Sequence, residues 1–336
     1  VLVALHLNCI CSGEARRIMN SVMDSFFGRR AKVGAALLAV SVIWGSTYYG
    51  MRVALETVPP FLMGSARFVV AGAILYAMLR LRGAPAPTAR QWGASAATGA
   101  LMLVVGNGAI AFGQQRVSSS VAAVVVATMP LWMGLFASLW GERPSRGEIA
   151  GLALGFVGVA LLHAGGDFFS HGFYALAMLL APMGWALGSV WSKRLPLPGG
   201  FMATAAQMLT AGVAMAGVGF VRGERLAAIP SARSLVAVAY MIVFGSIVAF
   251  SAYGYLLRNT RASTASSYAY VNPLVAIGLG VLVGGETIHA PTIVGTLVIL
   301  SGVLAISLAK RARVKTPPDP CTSPSLPEGR RISPAE

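Results

Sequence analysis

Residues 128–162 read TMPLWMGLFASLWGERPSRGEIAGLALGFVGVALL, and residues 271–306 read VNPLVAIGLGVLVGGETIHAPTIVGTLVILSGVLAI. Laid together, Pro130 meets Pro273, Glu142 meets Glu286, and Gly151 and Gly158 meet Gly295 and Gly302, with one residue of gap between Pro and Glu. Further upstream, Trp44-Gly45-Ser46 has a looser echo in Trp185-Ala186-Leu187-Gly188-Ser189. The chain is therefore written twice, and what each copy contains decides the architecture.

Each copy is a series of apolar runs. Of the 336 residues, 56% are hydrophobic and 11% charged, where soluble domains carry about 25% charged residues. The mean hydropathy is +0.71. A membrane helix needs about 20 mostly apolar residues, and ten such runs are legible: 33–55, 60–81, 91–113, 117–140, 147–164, 172–193, 201–221, 234–257, 262–284 and 290–309. The runs are too long and too evenly spaced for a soluble protein with one large core. The connections between them are short, which makes neighbours antiparallel. Five spans per half is an odd number, so the second half must enter the membrane upside down. The expected fold is all-α and polytopic: ten transmembrane helices as two inverted five-helix repeats, an architecture many secondary transporters use. The expected divisions are an N-terminal extension at 1–30, repeats at 31–165 and 166–310, and a Pro/Ser-rich disordered tail at 311–336.

The formal charge of +15 sits in short clusters between spans, which excludes a nucleic-acid groove and fits the positive-inside rule. With the N-terminus inside, the inner set is Arg29, Arg30, Lys32, Arg80, Arg82, Arg90, Arg143, Arg146, Lys193, Arg194, Arg258, Arg261, Lys310, Arg311, Arg313 and Lys315. The outer set is Arg52, Arg116, Arg222, Arg225 and Arg233. Both termini are thus expected in the cytoplasm, against a counter-signal of three Arg in the loop from 222 to 233. The three cysteines, Cys9, Cys11 and Cys321, lie in the tails. They imply neither a structural disulfide nor a metal site. The chain opens on Val1, and Met19 or Met23 is the expected start.

One stretch resists a lipid-facing reading. Residues 44–52 read WGSTYYGMR. Trp44 falls roughly 17 Å from either end of its span at about 1.5 Å per residue, at mid-membrane rather than in an interfacial aromatic belt. Trp44, Thr47, Tyr48 and Met51 share one helix face, and Gly45 and Gly50 permit close approach or a bend. Two readings stand: a helix-packing seam whose polar groups bond neighbouring backbone, or a cavity wall. Similar chemistry recurs as Gly106-Asn107-Gly108, as Thr128-Met129-Pro130 before Trp132, and as Pro182-Met183-Gly184-Trp185 before Ser189. It returns in Ser246, Ser251, Tyr253 and Tyr255, and in Ser266, Ser267, Tyr268, Tyr270, Asn272 and Pro273. Proline at this depth frees a backbone carbonyl, which is tolerated inside protein or along a cavity. Corresponding prolines in both halves point to a site. Gly45, Pro130, Pro182 and Pro273 are the expected hinges.

Arg67 is the one basic residue well inside a span, about 10 Å from its outer end. At that depth it must face the interior and have a partner. No Asp or Glu lies mid-membrane, so helix carbonyls, Tyr or Asn groups, water or a substrate anion remain, and both a structural and a substrate-contacting role are open. Arg52 and Glu56, at i, i+4 spacing, read as a structural pair. Glu142 and Glu286 lie at span ends, and His163, His171 and His289 near loops. Without a buried carboxylate to carry a proton, the sequence favours a facilitator or substrate-driven exporter.

The succession IWGSTY, a Pro-Pro loop before SARF, VGNG, AAVVVATMPL, the GE loop, WALGS, FGSIVAF, SSYAYVNPL and GGE resembles the EamA branch of the drug/metabolite transporter superfamily, and within it the YedA-type bacterial inner-membrane permeases. The resemblance runs from about residue 36 to 308. Each motif alone is weak, and their order and spacing are specific. It implies ten helices, an inverted repeat, cytoplasmic termini in the bacterial inner membrane, and export of small metabolites. It also implies a central cavity lined by positions such as Trp44, Thr47, Tyr48, Asn107, Trp185 and Tyr270.

The full candidate substrate set is Trp44, Thr47, Tyr48, Arg67, Asn107, Trp185, Ser189, Tyr253, Tyr268, Tyr270 and Asn272, with no cofactor and no metal. Trp, Tyr and Met suit a neutral, partly apolar solute, so neutral or aromatic amino acids are the expected cargo and lipophilic drugs the alternative. A membrane enzyme would need a nucleophile or acid/base pair that the spans lack. A lipid scramblase would need a groove open sideways to lipid. The expected partners are a small-molecule substrate and membrane lipids, in a monomer or homodimer.

Overall fold

The computed structural model describes residues 31–139, 172–260, 262–287 and 293–302, with scattered positions between them. Seven helices are long and apolar enough to cross a membrane: Ala31–Ala54 (α1), Pro60–Leu81 (α2), Ala89–Gly113 (α3), Ser119–Ser138 (α4), Gly172–Ser192 (α5), Phe201–Val221 (α6) and Ala232–Asn259 (α7). Two shorter pieces follow, Asn272–Leu282 (α8) and Ile293–Gly302 (α9). The expected span at 147–164 lies mostly outside the described residues. So do the N-terminal extension, the tail with their cysteines, Glu142, and His163, His171 and His289.

The expected span at 262–284 is not one continuous helix. It is a short helix Ala262–Ala265, a 3-10 turn Ser267–Tyr270, and then α8 with Pro273 in its first turn. Proline has no N–H and its ring clashes with the preceding turn, so a helix restarts there rather than running through. α4 does the same. It stops at Val126 and restarts at Met129 with Pro130 in the first turn. The two halves share a second irregularity. α3 widens into a π-helix over Ala100–Asn107, and α7 does so over Met241–Val248. The sequence beneath is alike, Met102-Leu103-Val104-Val105-Gly106-Asn107 and Met241-Ile242-Val243-Phe244-Gly245-Ser246.

In lipid, helices associate by close packing rather than by the hydrophobic effect, so small residues mark the seams. α2 and α6 pack together along such a seam. A Cβ on Gly72 would stand 2.9 Å from the Leu209 amide nitrogen, and one on Gly212 would stand 2.7 Å from that of Val69. α5 lies against α3, with Gly184 over the Leu101 carbonyl and Gly188 over Met102. α1 meets α8 through Gly45 against Val275, and α7 through Gly50 against Met241. The outward faces carry exposed Leu38, Val42, Val70, Ile74, Val236, Val243 and Phe244, a surface suited to acyl chains.

Short turns gather the described connections at two ends. One end holds 55–59, 114–118, 222–231 and 283–287. There Ser231 N donates to Thr57 Oγ1, and the Phe61 and Leu62 amides donate to Glu224 at 3.0 Å. The other end holds 82–88, 193–200 and Thr260, with a capping box between Thr88 and Gln91 starting α3. Below, these are the Glu286 end and the Arg258 end.

Candidate substrate cavity and its two mouths

Trp44 sits at the centre of an aromatic cluster drawn from three helices and the 3-10 turn. Its ring lies 5.2 Å from Trp185, 5.1 Å from Tyr253, 5.0 Å from Tyr268 and 6.5 Å from Phe250. Edge-on meetings, such as the 82° angle with Trp185, are the favoured quadrupole geometry. The indole N–H of Trp44 donates to the Gly245 carbonyl at 2.9 Å, inside the π stretch of α7, where carbonyls are shifted off the α-helical register. Trp185 packs in the matching place on α3, where a Cβ on Gly106 would come 3.0 Å from its ring. The Trp185 N–H is buried without an acceptor among the described residues.

On the Glu286 side of this cluster lies a small cavity, lined by Trp44, Thr47, Tyr48, Met51, Arg67, Gly106, Asn107, Ile110, Val126, Ala181, Trp185 and Tyr268. Its volume is about 50 Å³. Drug-sized ligands use pockets of about 300–1,000 Å³, so the cavity is too narrow for a solute of that size. On the Arg258 side a vestibule of about 470 Å³ reaches inward from the end of the bundle. Its walls include Gln207, Ala203, Leu257 and Arg258, and Met102, Phe250 and Tyr253 at its inner limit. The aromatic cluster thus stands between a narrow cavity and a wider vestibule.

Arg67 is buried against the cavity at 3% exposure. Its Nε donates to Ser246 Oγ at 2.7 Å and its Nη1 to Asn107 Oδ1 at 3.2 Å. The guanidinium carbon lies 4.8 Å from the Phe68 ring centroid. Asn107 and Ser246 occupy equivalent places in the two Met-x-Val-x-Gly stretches, so both halves converge on one guanidinium. That likeness was readable in the sequence, and it sets Ser246, named there among the recurring polar residues, opposite Asn107.

Seven of the eleven sequence-derived candidates come together here: Trp44, Thr47, Tyr48, Arg67, Asn107, Trp185 and Tyr268. Thr47 spends its hydroxyl on its own helix, donating to the Trp44 carbonyl at 2.7 Å. Tyr253 faces the vestibule. Ser189 lies outside both voids, fully buried, bonded to the Trp185 carbonyl at 2.7 Å and to Tyr253 Oη at 2.8 Å. Asn272 is also outside. Its amide nitrogen donates to the carbonyls of Ser41 at 2.9 Å and Tyr268 at 3.2 Å, tying the break before Pro273 to α1. The Tyr270 side chain lies outside the described residues. Among those residues no trio of His, Cys, Asp or Glu could hold a metal.

Sequence reading missed what ties the Glu286 end together. The Arg52–Glu56 pair is not formed. Arg52 Nη1 meets Glu286 Oε1 at 2.6 Å, while Glu56 meets Arg233 at 3.5 Å on the surface. Glu286 also accepts from Ser119 N at 3.0 Å, Ser119 Oγ at 2.5 Å, Ser120 N at 3.2 Å, and Ser120 Oγ. The carboxylate therefore caps α4, where unpaired N–H groups and the helix dipole favour an anion. Burial pushes the Glu286 pKa up, but the four bonds from Ser119 and Ser120 outweigh it and hold the group below the ordinary carboxylate range. One side chain joins the end of α1, the start of α4 and the loop after α8.

Comparison with known proteins matches the profile described as the EamA-like transporter family to residues 32–164 and again to 172–308. An inner membrane transporter of Escherichia coli K12, YedA, itself described as uncharacterized, is 42% identical over 276 residues, 82% of this chain and 90% of that protein. The uncharacterized transporter YvbV of Bacillus subtilis is 27% identical over 83% of this chain and 93% of its own length. A protein of known crystal structure, 20% identical, superposes with a TM-score of 0.60 over 85% of this chain and 99% of that one, a likeness of fold.

Proposed function

Since the chain belongs to the EamA-like transporter family, a family of multi-pass membrane transporters and not of enzymes, we propose that it exports small metabolites by alternating access between two inverted repeats, at 31–165 and 166–310. Neutral or aromatic amino acids are the cargo this reading favours. The observation that carries it is the pair of voids, one narrow and one wide, on either side of the Trp44 cluster.

Several paired features support the inverted-repeat part. The π stretches fall in α3 and α7, and the proline breaks fall in α4 and before α8. The contact of Trp44 with Gly245 has its counterpart in Trp185 with Gly106. In such a protein each half can adopt the other's conformation, which opens the opposite mouth. Gly45, Pro130, Pro182 and Pro273 are the hinges of this exchange, because each sits where packing is tight or an α-helical bond is missing. The vestibule end also carries Arg80, Arg82, Arg90, Lys193, Arg194 and Arg258, so it is the cytoplasmic mouth under the positive-inside rule. Solute enters there, the aromatic rings part to admit it, and release follows when Glu286 lets go.

The test is counterflow of labelled amino acids into proteoliposomes holding the purified protein, with Trp44→Ala beside the parent. Saturable flux, lost in a Trp44→Ala protein that still folds, is the expected result. Flux of lipid probes with none of any solute would replace this reading by lipid scrambling.

A further inference from the structure

The cavity carries a cation that the protein itself does not neutralise. Arg67 is the one charged residue in its wall. Among the described residues the ion pairs are Arg52–Glu286 and Arg233–Glu56, and Arg67 is in neither. Its hydrogen bonds go to the neutral oxygens of Ser246 and Asn107, with Met241 Sδ at 3.9 Å. Nη2 makes no hydrogen bond among the described residues, out of five donors that a guanidinium brings. An uncompensated charge at this depth is unfavourable, and such residues mark substrate pathways when they persist. The vestibule repeats the sign: Arg258 lines it, and no acidic residue does.

From this we infer that the transported solute carries a carboxylate, and that Arg67 is the group that reads it. The inference rests on the transport reading above and narrows it. A planar guanidinium matches a planar carboxylate through two parallel N–H···O bonds. The single cation suits one negative charge, where a phosphate monoester would bring close to two. The aromatic cluster beside it takes the apolar body of the solute. No acidic side chain lines either void, so an ammonium group finds no counter-charge along the described path. The carboxylate is therefore required and the amine dispensable, and amphipathic cations are rejected by Arg67.

Three probes of nearly one shape separate these roles: L-phenylalanine, 3-phenylpropionate, which lacks the amine, and phenethylamine, which lacks the carboxylate. Each is offered to proteoliposomes of the intact protein. The expected result is flux of the first two, and flux of phenethylamine lower by tenfold or more. Arg67→Gln should erase that preference, whereas Arg67→Lys, with the charge but not the fork, should keep part of it. The parent's own ranking is informative even if both variants misfold. Phenethylamine moving as fast as phenylalanine overturns the inference and leaves the carrier reading intact. Flux of none of the three, with amino acids of other types equally inert, overturns the carrier reading and the inference with it.

Discussion

Replacing Glu286 by glutamine changes one atom and almost no volume, yet it should unlatch one end of the protein. The carboxylate now accepts from two backbone amides, two hydroxyls and Arg52. Glutamine keeps one acceptor oxygen and turns the other into an NH2 group that must face an amide N–H, donor to donor. Breaking a buried ion pair by removing one partner costs about 3–5 kcal/mol. Here the Arg52 side chain is 41% exposed and can return to water, which lowers the figure to about 2–3 kcal/mol. At about 1.4 kcal/mol per tenfold, the closed-to-open ratio at this end shifts by about 30–150-fold. Met51 reports the shift, because it is 4% exposed and lines the narrow cavity. With Cys9, Cys11 and Cys321 changed to Ser, Met51→Cys should react slowly with an impermeant maleimide. Adding Glu286→Gln should raise that rate by tens of fold. An unchanged rate in a double variant that melts like its parent would refute the reasoning, since closure would then rest on helix packing alone.

Acid should act on the same contact. The Glu286 pKa is depressed in the closed form, so its contribution is complete at neutral pH and is lost only as pH falls through that lowered value, below the ordinary 4.5. Met51→Cys labelling, taken as a ratio to an exposed reference cysteine at the same pH, should therefore stay flat from pH 8 to 5 and rise only in stronger acid. Ser246→Ala leaves the Arg67 Nε–H unpaired in a buried site and should cost about 1–3 kcal/mol, read as a fall in melting temperature in detergent. Gly212→Val pushes side-chain carbon into the Val69 backbone, and should destabilise the protein by about 1–3 kcal/mol or more, measured by the same melt. Arg233→Ala, by contrast, breaks an exposed pair at 3.5 Å, and its effect should stay within about 1 kcal/mol.

The apolar runs by themselves marked the helices that could be compared, apart from the broken run at 262–284, because lipid permits only segments that satisfy their own backbone. The runs at 60–81 and 201–221 coincide with α2 and α6. The duplicated Pro, Glu and Gly positions made two similar halves legible, and Trp44, Arg67 and Asn107 stood out because polar groups at mid-membrane need partners. Only the tertiary structure decided which partners those were. Arg52 chose Glu286 over the nearer Glu56 because residues 234 apart in sequence meet where α1, α4 and the loop after α8 converge. Asn272 and Ser189, as polar as Asn107 on paper, were drawn into backbone and tyrosine bonds outside the cavity. Periodicity says which face of a helix avoids lipid. It does not say whether that face meets another helix or an opening, because the difference lies in how several helices stack and not in the residues of any one.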